Sequence, residues 1–112
     1  MSSMLLVKDW SGVPRRALKP TEVVTRLGAL PDWRLTGDGP DVAIEREFRF
    51  ANYHETMAFV NAVAFVAHRQ DHHPDLSVHY NRCVVRWQTH AVQGLSETDF
   101  ACAALVDGLL AA

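Results

Sequence analysis

The stretch HRQDHHPDLSVHYN (residues 68–81) holds four of the six histidines of a 112-residue chain. His72 and His73 are adjacent and run straight into Pro74. Histidine is the side chain whose ordinary titration lies nearest neutral pH, and it is also the commonest metal ligand. Three readings are open: proton transfer by imidazoles, a metal centre, or histidines that merely sit in a solvated polar turn. Pro74 disfavours helical geometry at His73, so a helix feeding this stretch should end around Asp71 to His73. That leaves two imidazoles at a helix exit, where backbone carbonyls and open space meet. His90 lies sixteen residues beyond Pro74, at the end of a predicted hairpin. A hairpin that leaves a point and returns brings its end close to its start, so His90 is expected beside His72 and His73. Asp71 and Asp99 are the acids placed to orient or charge-tune an imidazole.

The metal alternative uses His68 and His72, spaced i and i+4, with His90 as a third ligand and an open fourth position. Against it, the helix is already ending at His72. No cysteine or glutamate stands ready as a further ligand or as the general base of a zinc hydrolase. No metal and no cofactor are expected. His79 alternates with Val78 and Tyr80 and should face outward, while His54 reads as a helix-start residue.

The elements that must position these side chains follow from periodicity. PTEVVTRLGAL starts at Pro20 and spaces Val23, Val24, Leu27 and Leu30 as a helix, which Pro31 stops. DWRL gives a short strand and TGDGPD a turn. VAIEREFRF alternates, with Val42, Ile44, Phe48 and Phe50 on one face and Glu45, Glu47 and Arg49 on the other, the mark of a half-buried antiparallel strand. Arg46 interrupts the apolar face and must reach a carboxylate or a rim. HETMAFVNAVAFVAHR is a helix whose one polar stripe is His54, Asn61 and His68, spaced by seven. A helix this apolar on most sides needs cover from two directions: the sheet for one, a second subunit for the other. LSVHY and CVVRWQTH read as strands joined by a tight turn at Asn81 and Arg82. Ser96 followed by Asp99 is a capping-box-like start to the last helix. The order predicts an α+β fold, αββαββα, with a four-stranded antiparallel sheet and its helices on one face.

Composition narrows the classes. A 48% hydrophobic and 21% charged chain of this length predicts a single globular domain, assigned to residues 15–112, behind a flexible N-terminal arm of residues 1–14. A net charge of −2 supplies no overall pull toward nucleic acid or membrane; only the first twenty residues lean basic (Lys8, Arg15, Arg16 and Lys19 against Asp9). MLLV is too brief for a signal peptide, and no run approaches the roughly 20 apolar residues of a membrane span. Cys83 and Cys102 lie far apart in apolar contexts, as two buried free thiols would in a reducing, cytoplasmic setting.

DHHP, then YN, then THAVQGLSETD, with IEREFRF upstream, resemble the pterin-4a-carbinolamine dehydratase family over roughly residues 15–110. The resemblance implies small subunits that assemble into homodimers or homotetramers, with strands adding across one interface and the long helix packing on its copies. It implies metal-free, cofactor-free dehydration of a 4a-hydroxytetrahydropterin, such as 4a-hydroxytetrahydrobiopterin, to the quinonoid dihydropterin. The family's three active-site histidines fall on His72, His73 and His90. His72 and His90 would transfer protons, and His73 would hold the pterin and protonate its hydroxyl. Asp71, Pro74, Asp99 and His68 would contact substrate, and Trp33 would pack. One departure stands out: many members carry glutamate in an A-E-x-x-x-H-H-P run, where this chain reads AHRQDHHP and places His68. Relatives also serve as dimerisation partners of a transcription regulator or as assembly factors, so a non-catalytic role is the alternative.

Overall fold

The computed structural model describes residues 7–12 and 15–111. The remainder of the expected arm, residues 1–6 and 13–14, lies outside the described residues. The elements run α1 (Pro20–Leu27), β1 (Arg34–Thr36), β2 (Ala43–Arg49), α2 (Tyr53–Gln70), β3 (Asp75–Val78), β4 (Arg82–Trp87) and α3 (Glu97–Gly108), with short 3₁₀ turns at Gly39–Asp41 and His90–Val92. All strand pairs are antiparallel, in the order β1-β2-β4-β3. This is the expected α+β architecture.

Alternation decides which face is covered. On β4, Cys83, Val85 and Trp87 are buried and lie opposite Phe48, Arg46 and Ile44 of β2. These inward residues meet Val23 of α1, Phe59, Val63 and Val66 of α2, and Phe100, Cys102 and Val106 of α3 in one apolar cluster. Arg46 resolves its conflict with that face as expected. Its guanidinium lies 4.4 Å over the Phe48 ring and 2.7 Å from Asp107, which also accepts a hydrogen bond from the Trp33 indole at 2.9 Å. Trp33 is therefore a packing residue with a tethered N–H. In the turn before β2, Gly37 has a positive φ of 74°, and a Cβ there would sit 2.3 Å from the Asp41 carbonyl oxygen, so glycine is required.

Two boundaries differ from expectation. Arg82 already pairs with Arg49 as the first residue of β4, and the hairpin closes through the His79 N–H to the Arg82 carbonyl, so the turn sits at Tyr80 and Asn81. The strand also stops at Trp87 rather than running to His90. Thr89 pairs instead with Gly94 in an isolated bridge, which closes a small loop carrying His90.

Cys83 and Cys102 are free and buried. Burial pushes the Cys83 thiol up to about 11; burial, with the Asp99 carboxylate adding to it, pushes Cys102 up to about 12, both from an ordinary value of 9.0. Unfolding releases both thiols to ionise first, so the unfolded chain binds fewer protons and stability falls as pH rises from about 9 toward 11. Thermal melts of a Cys83→Ala/Cys102→Ala variant should lose less of their midpoint across that window than those of the wild type. Equal slopes would show that the thiols do not contribute.

Candidate functional site

The exit of α2 builds the site. Its start is fixed by Asn52, whose side chain accepts from the Glu55 N–H at 2.9 Å. Its end is a Schellman turn: the His72 N–H donates to the Ala67 carbonyl at 3.1 Å, and the Asp71 N–H to the His68 carbonyl at 3.2 Å. Asp71 takes the left-handed conformation this requires, with φ 50° and ψ 46°. Glycine usually occupies such a position; aspartate is among the few other residues enriched there. The turn aims the next residue, His72, back at the sheet. Its ring stacks on Trp87, with centroids 5.5 Å apart and 17° between planes.

Behind His72 lies Asp99, fully buried in the first turn of α3. His72 Nε2 is 2.7 Å from Asp99 Oδ1. Asp99 Oδ2 accepts from the Ser96 N–H at 2.9 Å and from Thr89 Oγ1 at 2.7 Å. Thr89 has a single hydroxyl hydrogen, and a carboxylate can only accept. The Thr89 hydrogen therefore goes to Asp99, and the Ser96 hydroxyl, 2.7 Å away, donates to Thr89. The expected capping box is present: the acid reaches back to the Ser96 N–H and the Ser96 side chain faces the Asp99 N–H, while the serine hydroxyl hydrogen is given to Thr89. Asp99 is both a cap and the partner of an imidazole. An isolated buried carboxylate would cost several kcal/mol; hydrogen bonds to a charged group, each about 1.5–3 kcal/mol, offset that.

A pocket of about 240 Å³ opens in front of this assembly, lined by Val7, Ala67, His68, Asp71, His72 and His73. His73 is exposed, its ring centroid 6.5 Å from that of His72. His68, Asp71, His72 and His73 are thus brought together, with Asp99 holding His72 from behind. Pro74 is half-buried and starts the chain toward β3, outside the pocket walls. His90 is exposed and also outside those walls. What the hairpin returns to His72 directly is Trp87; Thr89 reaches the far oxygen of Asp99, and His90 follows it as the first residue of the 3₁₀ turn. His79 is exposed, 3.0 Å from the Ser77 hydroxyl, facing outward as expected. His54 is exposed in the first turn of α2. Among the described residues, no group of three or more His, Cys, Asp or Glu is placed to hold a metal ion.

Sequence reasoning missed Trp87, Thr89 and Ser96 as site residues. Trp87 follows Cys83 and Val85 at period two, a signal that could have marked it as inward, but nothing local said that a histidine would lie on it.

The family profile for pterin 4 alpha carbinolamine dehydratase matches residues 16–109. A protein of Paracidovorax citrulli, which carries the name pterin-4-alpha-carbinolamine dehydratase as a provisional assignment, is 68% identical over 99% of this chain and 96% of its own length. A similarly named protein of Stenotrophomonas maltophilia is 52% identical, over 97% of this chain and 96% of its own length. Among solved structures, a transcriptional coactivator/pterin dehydratase from Brucella melitensis superposes with a TM-score of 0.79 at 29% identity, covering 86% of this chain and 100% of that one. A pterin dehydratase-like protein identified as a RuBisCO assembly factor in the alpha-carboxysome gives 0.60 at 26% identity, covering 70% and 88%.

Paired with a carboxylate, His72 carries its hydrogen on Nε2 and leaves Nδ1 as the ring nitrogen not bonded to Asp99. Asp99→Asn should reverse this. The amide oxygen would keep the Ser96 and Thr89 donors, its NH₂ would face His72, and the ring would have to accept at Nε2 and carry hydrogen at Nδ1. Long-range ¹H–¹⁵N spectra of the His72 ring check the switch. An unchanged tautomer would show that Asp99 does not set it.

Proposed function

Because the chain belongs to the pterin-4a-carbinolamine dehydratase family, we propose that it removes water from a 4a-hydroxytetrahydropterin to leave the quinonoid dihydropterin. The observation that carries this reading is His72, held between the Trp87 ring and the buried Asp99 carboxylate at the edge of a pocket shared with His73. The reaction needs one proton delivered and one removed. A proton on the 4a-hydroxyl lets the C4a–O bond break, its electron pair leaving with the departing water. The neighbouring ring nitrogen then gives up its hydrogen, and the freed pair forms the C=N double bond of the product.

Imidazoles suit both steps, and a positioned acid or base contributes roughly 10²–10⁴-fold. In this reading His72 exchanges protons through Nδ1 while Asp99 keeps Nε2 occupied. His73, exposed at the mouth, holds the pterin and protonates its hydroxyl. His90 joins from the adjoining 3₁₀ turn, its backbone set by Thr89, as the second proton-transfer group. Asp71 and His68, on the same walls, contact the substrate, and Pro74 sets the course of the chain behind His73.

A second, non-catalytic reading rests on exposed apolar side chains. Phe65 of α2 is 45% exposed and Leu105 of α3 is 45% exposed, with Leu109 and Leu110 beyond them. That surface suits a homo-oligomer or an assembly partner, and one structural relative is identified as an assembly factor.

Turnover of freshly generated 4a-hydroxytetrahydropterin by purified protein separates the two readings. His72→Ala and His90→Ala should each lower kcat by roughly 10²-fold or more. The double variant should lose much less than the product of the two, because groups acting as a unit are not additive. His79→Ala is the control and should be nearly silent. Near-wild-type turnover in the double variant would remove the histidine mechanism, and an inactive wild type would favour the assembly role. Activity should also survive exhaustive chelation; its loss together with one tightly bound metal per subunit would reinstate a metal site.

A further inference from the structure

The last carbonyls of an α-helix have no partner within the helix. At the end of α2 the Schellman turn uses those of Ala67 and His68. The next three, on Arg69, Gln70 and Asp71, are each met by a residue from the N-terminal stretch. The Lys8 N–H donates to Arg69, the Trp10 indole N–H to Gln70, and the Arg15 guanidinium to Asp71 at 3.1 Å. The Lys8 ammonium also lies 4.1 Å over the Trp10 ring. Cationic groups at a helix C-terminus are favoured by its dipole, so Lys8 and Arg15 suit this place electrostatically as well. Residues 8 and 10 precede the span matched by the family profile, which begins at residue 16. Docking here carries Val7 into the wall of the pocket beside His68, Asp71, His72 and His73.

We infer that this N-terminal stretch is a substrate-binding wall of the histidine pocket, with Val7 making an apolar contact to the bound pterin and Trp10 holding Val7 in place. The inference rests on the pterin reading of the site. Val7 supplies apolar surface against ring atoms where histidine and aspartate supply hydrogen bonds. It is 49% exposed and outside the core, so its contribution is to binding rather than to folding. Trp10 is a positioning residue: its indole N–H anchors the segment to the carbonyl of Gln70, two residues before His72.

The test uses full-length Val7→Asp and Trp10→Phe, the second keeping an aromatic ring while removing the indole N–H donor together with the five-membered ring. Three quantities are measured for each: kcat and KM on fresh 4a-hydroxytetrahydropterin, the Kd for 7,8-dihydrobiopterin by calorimetry, and Tm. Val7→Asp should raise KM and Kd roughly tenfold, with kcat within about twofold and Tm unchanged, the pattern of lost ground-state binding. Trp10→Phe should move KM and Kd in the same direction by about fivefold. Unchanged KM and Kd in Val7→Asp would overturn the inference. So would kcat and Tm falling together in both variants, which would make the segment a prop for the fold. A wild type that binds the dihydropterin without turning over the hydroxypterin would remove the dehydratase reading alone, and the Kd of Val7→Asp would then decide the role of the arm.

Discussion

Asp99 has no contact with solvent, and its two oxygens tie together three parts of the chain. One oxygen faces the imidazole at the exit of α2; the other takes the backbone N–H that opens α3 and the hydroxyl that follows β4. A carboxylate removed from water must have its lone pairs met, because one missing donor in such a place costs about 1–3 kcal/mol or more for a charged group. That requirement constrains everything around it. It fixes where α3 begins, holds Thr89 against Ser96, and sets which nitrogen of His72 carries the hydrogen. Asp99, read from the sequence both as a helix cap and as an acid that could orient an imidazole, does both in the folded chain.

The exit of α2 illustrates how a small backbone requirement is turned to use. Asp71 adopts a left-handed conformation that side chains other than glycine, asparagine and aspartate seldom take. The sharp turn that results sends His72 inward onto Trp87 and leaves His73 outward at the mouth of the pocket, so adjacent histidines have opposite surroundings. His72 is 8% exposed in its side chain, while His73 is open to solvent. Two imidazoles in unlike environments suit the proposed dehydration, in which one proton goes in and one comes out.

The sheet serves mainly as a platform. Its inward row is apolar except at Arg46, which Asp107 and the Phe48 face accommodate, and its rigidity gives Trp87 a fixed plane on which His72 rests. The helices cover that row once, yet Phe65 and Leu105 stay exposed on their outer sides. Among the described residues, the second covering layer read from the apolar circumference of α2 is not supplied to these side chains.

Whatever depends on neighbours in the chain was legible from the residues in order. Period-two alternation marks β2 and β4, helical spacing marks α1 and α2, and Pro74 limits α2 because its ring restricts His73. The HHP motif is local in the same way, and the structure places His72 and His73 on one pocket, while His90 of the TH motif lies outside its walls. Three features needed the folded chain. Asp99 was legible as an acid that could orient an imidazole, but that it meets His72, across 27 positions, was not. Trp87 was legible as buried, but not as the platform of a histidine. His90 was expected at a strand end beside His72; the bridge between Thr89 and Gly94 ends the strand early, and Thr89 takes the place facing Asp99. Periodicity reports which face of an element is apolar. Which polar groups meet across elements is decided by the need to satisfy every buried donor and acceptor at once, and that condition exists only when the elements are packed.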